Sequence, residues 1–162
     1  MPTSAPWLRG LIFTLLVPGM IGGVAPMIID SNAQASRGFW RVGWILIAAG
    51  AVIYTLCLIR FLAAAGTPAI FFTRHIRFLL GEEPKSLVSK GLYRFSRNPM
   101  YVGVLMAIFG QAIVFASFRI AVYGVVAFAF FHVVVVFLEE PHLRSTLGKP
   151  YEQYCQNVRR WL

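Results

Sequence analysis

The sequence predicts an all-α protein, a polytopic membrane helical bundle of about four transmembrane helices with short cytoplasmic C-terminal helices. Its composition is the first observation: the 162 residues are 58% hydrophobic and 13% charged, with a mean hydropathy of +0.69. Soluble domains carry about 25% charged residues. The second observation is that the apolar residues are spread along the chain in long stretches. A soluble fold of this length cannot hide so much apolar surface, so we expect the bilayer to be its solvent.

Four apolar stretches have the length of a membrane span, which is roughly 20 residues for about 30 Å of hydrocarbon. They cover residues 8–29, 42–65, 101–118 and 120–138. Prolines and glycines interrupt the first stretch, which predicts a kinked helix. The short connection Ser117–Arg119 between the last two predicts an antiparallel helical hairpin. Because hydrocarbon offers the backbone no partners, we expect every span to be helical.

The distribution of Lys and Arg predicts the orientation. With four spans, the N-terminus, the loop 66–100 and the tail 139–162 lie on one side and together carry eleven of these residues. The opposite side carries three, so both termini and the polar loop are expected in the cytoplasm. Arg60 then lies near the cytoplasmic end of its span, from where its head group can reach water. The segment 69–80 mixes aromatic and basic residues, and is expected to form a helix in the interface plane.

The remaining composition limits the class of partner. The net charge of +9 is not concentrated in one block, so membrane lipid is a better candidate partner than nucleic acid. Cys57 lies in an apolar run and Cys155 in the tail, and the sequence has no metal-ligand cluster, so no metal site is expected. We expect a single domain over residues 1–162. The oligomeric state is open.

The tail carries its own pattern. An apolar stripe of helical spacing runs from Leu143 to Trp161. Within it, the Gly148-Lys149-Pro150 sequence predicts a break between two short helices, with Pro150 in the first turn of the second. These helices are expected to pack on the cytoplasmic face of the bundle.

Polar residues converge where the last two spans meet the cytoplasm. The segment 85–101 enters the third span and Glu139-Glu140 leaves the fourth, so the hairpin brings them together. Glu140 stands four residues before Arg144, the spacing of a surface ion pair. Glu139 has Leu143 in that position, and a carboxylate at the membrane boundary without a local partner points to function. For His132, inside an apolar helix, a hydrogen bond within the bundle is the expected role.

Three quoted segments carry a family resemblance. KSLVSKGLYRFSRNPMY, then FLEEPHL after a hydrophobic hairpin, then LGKPYEQYCQNVRRW resemble the C-terminal region of isoprenylcysteine carboxyl methyltransferases and phospholipid methyltransferases. The match covers about residues 85–162 with order and spacing intact. It implies an integral-membrane methyltransferase that uses S-adenosylmethionine and acts on a lipidic or lipid-anchored acceptor. It also implies a cytoplasmic cofactor pocket capped by the C-terminal helices.

The resemblance also implies a set of site residues, while the catalytic residues remain unknown. Arg97 would support the loop, and Glu140 would stand beside Glu139 in the pocket. The cofactor-binding residues carried over by position are Lys85, Ser86, Leu87, Val88, Tyr93, Asn98, Pro99, Met100, Tyr101 and Glu139. Glu139 would neutralise the ammonium of the cofactor, and the two tyrosines would face its adenine or sulfonium.

Departures from the family pattern leave the acceptor open. Asn98 stands where prenylcysteine enzymes commonly have His, and the segment His132–Phe137 lacks the Arg that some relatives place there for the substrate carboxylate. Two other functions are alternatives: a membrane sterol-reductase-like enzyme using NADPH, and a non-catalytic membrane protein. A reductase needs contacts for a pyrophosphate, and the sequence has no Gly-rich phosphate cradle.

Overall fold

Five helices account for most of the residues that the structure describes. The computed structural model describes residues 14–15, 18–32, 34–35, 38–63 and 87–162, and these ranges contain helices but no strand. The helices are α1 Met20–Ile29, α2 Trp40–Ala63, α3 Pro99–Val114, α4 Phe118–Leu147 and α5 Lys149–Asn157. A 3₁₀ turn, Gly91–Arg94, precedes α3. The predicted all-α class is confirmed for this part of the protein.

Two helices are long and apolar enough to cross a membrane. These are α2 with 24 residues and α4 with 30, while α1 and α3 are shorter apolar helices. Large apolar side chains such as Trp44, Ile45 and Val52 stand exposed along α2. An exposed apolar surface of this extent is typical of a helix that faces lipid.

Several predicted boundaries were wrong. The third apolar helix runs from Pro99 to Val114, so it begins two residues earlier and ends four residues earlier than predicted. Pro99 starts it with a preset φ, and the chain turns at Phe115–Ser117, where Ala116 has φ of 46°. The fourth begins at Phe118, where Ser117 accepts a hydrogen bond from the Ile120 N–H and caps the helix. Instead of ending at residue 138, it continues through both glutamates to Leu147.

Other predicted segments lie outside the described residues. These are most of the first half of the predicted span 8–29, the predicted interfacial helix 69–80, and the candidate site residues Lys85 and Ser86. The described end of the first span is helical and begins with a π-helical segment, Met20–Val24.

Glycines bring α2 and α3 into direct backbone contact. Gly43 lies opposite Gly110 and Gly50 opposite Gly103, so the two helices are antiparallel and their contacts repeat every seven residues. A Cβ atom on Gly50 would lie 2.5 Å from the carbonyl oxygen of Gly103, and one on Gly43 would lie 2.6 Å from that of Gly110. Small residues at such a seam let membrane helices approach closely.

The helix α3 is the centre of the bundle, since α1, α2 and α4 all pack on it. Its buried Ile108 belongs to a core shared with Ile120 and Phe131 of α4. The Gln111 side chain donates to the Gly22 carbonyl of α1. At the end of α1, Asp30 accepts a hydrogen bond from Ser117, which ties α1 to the α3–α4 turn.

The tail folds as predicted up to Asn157. Gly148, at φ of 59°, separates α4 from α5, and Pro150 lies in the first turn of α5; both predictions are confirmed. The continuation of the helical stripe to Val158 and Trp161 was wrong. Val158 still donates its N–H to the Tyr154 carbonyl of α5, but its backbone is extended. After it, the carbonyl of Arg159 accepts from the Arg97 N–H in the segment before α3.

The glycine seam generates a prediction about stability. Gly50→Ala and Gly103→Ala should each destabilise the protein by about 1–3 kcal/mol, because overpacking forces the two backbones apart. This loss opposes the gain of about 0.5–1 kcal/mol that Ala brings to a helix interior. Thermal unfolding of the detergent-solubilised variants measures the net effect as a lower midpoint.

Gly23→Ala is the matched control, since a Cβ at Gly23 meets no atom within 4 Å. Its midpoint should stay at or above that of the wild type. Equal midpoints for Gly50→Ala and Gly23→Ala would contradict the close approach of α2 and α3.

Candidate functional site

The first turn of α3 and the part of α4 around Glu139 meet at one carboxylate. The Tyr101 hydroxyl donates to Glu139 Oε1 at 2.5 Å, and the Tyr101 ring lies on the ring of Phe131, with centroids 4.7 Å apart. The Glu139 side chain is buried, although it lies at the end of an apolar helix. The α3–α4 hairpin thus brings together the two segments that the sequence placed at one site.

A π-helical segment, Val135–Glu139, explains why two neighbouring glutamates both point inward. In an α-helix, adjacent side chains diverge by about 100°, so one of two consecutive residues normally faces away from a given neighbour. A π segment inserts an extra residue and changes this register, and such insertions are frequent at functional sites. Glu139 and Glu140 are consequently 8% and 5% exposed.

The two glutamates have different partners. Glu140 is surrounded by guanidinium groups, with N–O distances of 2.6 Å to Arg160, 3.1 Å to Arg97 and 3.9 Å to Arg144. The expected Glu140–Arg144 pair is therefore present, but it is the longest of the three. Across the described ranges, Glu139 forms no ion pair within 4 Å, and it accepts a hydrogen bond from the Tyr101 hydroxyl. One carboxylate is neutralised and the other is not.

The predicted loop residues Arg97 and Asn98 bind the C-terminal end of the chain. We call Val158–Leu162 the strap. The Arg97 N–H donates to the carbonyl of Arg159 at 2.8 Å, and the Asn98 side-chain amide donates to the carbonyl of Arg160 at 2.9 Å. Arg97 thus ties the loop to the strap through its backbone, while the side chain of Asn98 contacts protein and is buried.

Tyr93 anchors the 3₁₀ turn against α2. Its ring packs edge-on to Phe61 at a centroid distance of 5.6 Å, and its backbone carbonyl accepts from the Tyr154 hydroxyl of α5 at 2.7 Å. Burial raises the pKa of Tyr93 well above its usual range, and the nearby Cys57 and Glu139 act in the same direction. The Tyr93 side chain is therefore a neutral phenol close to Glu139 at physiological pH.

The remaining candidates have lesser roles in this geometry. Val88 and Met100 pack against the cluster of Cys57, Phe61 and Tyr93, and Pro99 starts α3. Leu87 is half-buried. Contact of the predicted residues with a cofactor stays a prediction.

Sequence reasoning gave no role to the strap residues Arg160 and Trp161. The Trp161 indole N–H donates to His132 Nδ1 at 3.1 Å, which confirms the expected hydrogen bond of His132 within the bundle. Arg160 and Trp161 belong to the sequence VRRW at positions 158–161. The predicted continuation of the helical stripe gives their side chains other directions than those in the structure.

An apolar groove of about 330 Å³ begins beside the polar site. Helices α2, α3 and α4 and the strap all contribute to its wall. It is lined by Leu46, Val102, Leu105, Met106, Phe109, Phe128, Trp161 and Leu162. Val102 follows Tyr101, and Leu105 lies one helical turn after Tyr101, so the groove starts next to the turn of α3 that carries Tyr101.

Comparison with known proteins agrees with this arrangement. A family model described as phospholipid methyltransferase matches residues 39–150. Two curated relatives, both named "Probable protein-S-isoprenylcysteine O-methyltransferase", come from Oryza sativa subsp. indica and subsp. japonica. Each is 30% identical over 118 residues, which is 72% of this chain and 57% of the relative.

The chain thus spans a little over half the length of the curated relatives it matches. No solved structure shows significant similarity to it. The match to the family model includes α2, α3 and the whole of α4, and the apolar helices agree with a protein of the membrane. The chain belongs to the phospholipid methyltransferase family, as its resemblance to that family and to the isoprenylcysteine carboxyl methyltransferases predicted.

Proposed function

We propose that the protein is an integral-membrane methyltransferase that uses S-adenosylmethionine and acts on a lipidic or lipid-anchored acceptor. The observation that carries the proposal is Glu139. Its buried carboxylate, hydrogen-bonded to Tyr101 and without an ion pair among the described residues, adjoins an apolar groove. A site of this kind can hold a charged, soluble cofactor and still reach a hydrocarbon chain.

The donor set fits the cofactor. A buried carboxylate without a cation is costly, and a ligand ammonium within hydrogen-bond distance offsets that cost. S-adenosylmethionine carries an ammonium, so Glu139 would hold this group. The faces of Tyr93 and Tyr101 offer electron-rich surface to the adenine or the sulfonium. Lys85, Ser86, Leu87 and Val88 remain proposed contacts on the loop side.

The cofactor supplies an electrophilic methyl group on its sulfonium. The protein therefore needs no nucleophilic side chain, and the contribution of its residues is to align the acceptor with that methyl group. A carboxylate acceptor is already ionised at neutral pH, whereas an amine acceptor must first lose a proton. Glu139 and Tyr101 orient the polar end of the site, and the surrounding apolar side chains restrict the access of water.

The groove supports an acceptor with a hydrocarbon chain. Its lining is apolar throughout and starts next to the polar site. The names of the family and of the relatives both refer to substrates with such chains, a phospholipid and an isoprenylcysteine. We therefore extend this class of acceptor to the protein and leave its head group open.

We further propose four spans within one domain, with both termini and the site in the cytoplasm. The antiparallel packing of α2 on α3 and the α3–α4 hairpin support alternating directions. With 16 residues, α3 is short for a membrane span. The neighbouring apolar helices α2 and α4 are longer and extend beyond it. The basic residues around Glu139 lie at one end of the hairpin, the end assigned to the cytoplasm by the positive-inside rule.

The cofactor site can be tested by calorimetric titration with S-adenosylhomocysteine. The wild type should bind it saturably, and Glu139→Gln should bind it roughly tenfold more weakly or worse, because a charge-assisted hydrogen bond is lost. NADPH, titrated in parallel, should not bind. Glu152→Gln, which removes an exposed carboxylate on α5, is the control and should bind like the wild type.

Three results would contradict this prediction. Saturable binding of NADPH without S-adenosylhomocysteine would favour the reductase. Binding of neither by folded protein would favour a non-catalytic membrane protein. Equal affinities of the wild type and Glu139→Gln would remove Glu139 from the site.

Thiol labelling tests the orientation. Cys57 is buried within α2, whereas Cys155 is half-buried on α5. A charged, membrane-impermeant maleimide should therefore label Cys155 in inside-out vesicles and not in right-side-out vesicles. Glu152→Cys provides a fully exposed position on the same helix and should show the same sidedness, while Cys155→Ser should abolish wild-type labelling. Labelling of either position from the outside would overturn the assigned orientation.

A further inference from the structure

The strap Val158–Leu162 connects the two walls of the proposed site. It follows α5, runs beside the residues that precede α3, and ends on the side of α4. It lies beyond residue 150, where the match to the family model ends. The family model therefore does not describe the contacts of the strap.

The strap backbone holds the loop before α3. Carbonyl oxygens of the strap accept from the Arg97 N–H at 2.8 Å and from the Asn98 side-chain amide at 2.9 Å. The buried Ser96 hydroxyl lies 3.4 Å from the carbonyl of Arg160 and also accepts from the Asn98 N–H. The loop conformation at the entrance to α3 therefore depends on the position of the strap.

One carboxylate locks the loop and the strap together. Glu140 accepts from Arg160 of the strap through two nitrogens, at 2.6 Å and 3.1 Å, and pairs with Arg97 of the loop at 3.1 Å. The Glu140 side chain is 6% exposed and that of Arg160 is 33% exposed. A bidentate pair with one buried partner is specific in geometry and stronger than an open surface pair. The hydrogen bond to Glu140 raises the pKa of Arg160, which stays a cation.

A second anchor lies deeper on α4. The Trp161 ring packs on Phe128 at a centroid distance of 5.2 Å, and its indole N–H donates to His132. His132 and Glu140 are eight residues apart, which is about two helical turns. The strap is therefore fixed to α4 at two points along the helix.

We propose that Glu140, Arg160 and Trp161 form a latch that positions the Arg97–Tyr101 segment against Glu139. They are positioning residues that do not contact the cofactor. The neighbouring glutamates thus divide their roles, and Glu140 leaves the set of ligand-binding residues predicted from the sequence. The effect of the latch on cofactor affinity rests on the proposed function. The latch itself can be measured without any ligand.

Hydrogen exchange of the full-length protein measures the latch directly. The Arg97 amide is protected by the strap carbonyl of Arg159, so Arg160→Gln should speed exchange in peptides covering residues 95–98. Peptides from α2 should exchange as in the wild type. Arg159→Gln is the matched control, because its exposed side chain makes no ion pair with any described residue, and it should leave exchange unchanged.

Titration with S-adenosylhomocysteine then measures positioning. Arg160→Gln should raise Kd roughly tenfold, and Arg160→Lys should restore part of the affinity because it keeps the charge. The double variant Glu140→Gln/Arg160→Gln should lose less affinity than the sum of the losses of its two single variants, since contacts of one unit are not additive. If Arg160→Gln fails to fold, Trp161→Phe takes its place. It keeps the ring and loses the donor to His132, with an expected two- to fivefold rise in Kd.

The outcomes separate the two proposals. A wild type that does not bind S-adenosylhomocysteine defeats the proposed function, while hydrogen exchange still decides the existence of the latch. Unchanged exchange in Arg160→Gln overturns the latch. Faster exchange together with unaltered Kd overturns its positioning role, as does full additivity in the double variant.

Discussion

Two adjacent carboxylates are buried in α4 where its apolar part ends. Much of the arrangement around them follows from their need for partners. A charge held away from water needs partners. Glu140 obtains them from the loop before α3 and from the chain end, so these distant segments are drawn to α4. Among the described residues, Glu139 accepts from the neutral hydroxyl of Tyr101 and pairs with no cation. Because of this difference, Glu140 is a stabilising centre and Glu139 is the candidate for binding a ligand cation.

Close helix packing determines where those carboxylates lie. The glycine seam holds α2 on α3, and Tyr93 packs on α2 next to the start of α3. At the opposite end, Asp30 holds the α3–α4 turn through Ser117. Because the hairpin is fixed at its turn and along its length, Tyr101 meets Glu139 at the open end. The apolar groove includes Val102 and Leu105, which follow Tyr101 in α3, so an apolar surface begins next to the polar end of the hairpin.

Much of this arrangement could be predicted from the sequence. Hydropathy indicated the apolar helices, and the short connection at residue 117 indicated the hairpin that joins Tyr101 to Glu139. Gly148 and Pro150 indicated the break before α5. Other features depend on tertiary contacts. A regular helical repeat does not show the π segment that turns Glu140 inward, and it wrongly extended α5 to Trp161, because hydrogen bonds to Arg97 and Asn98 draw the strap away from helix.

The most direct test of the central claim is an experimental structure of the detergent-solubilised protein with S-adenosylhomocysteine. The account predicts the ligand ammonium within hydrogen-bond distance of the Glu139 carboxylate, with the adenosine near Tyr93 and Tyr101, and with Glu140 still paired to Arg97 and Arg160. A ligand bound elsewhere, or one whose ammonium contacts Glu140 in place of Glu139, would contradict it.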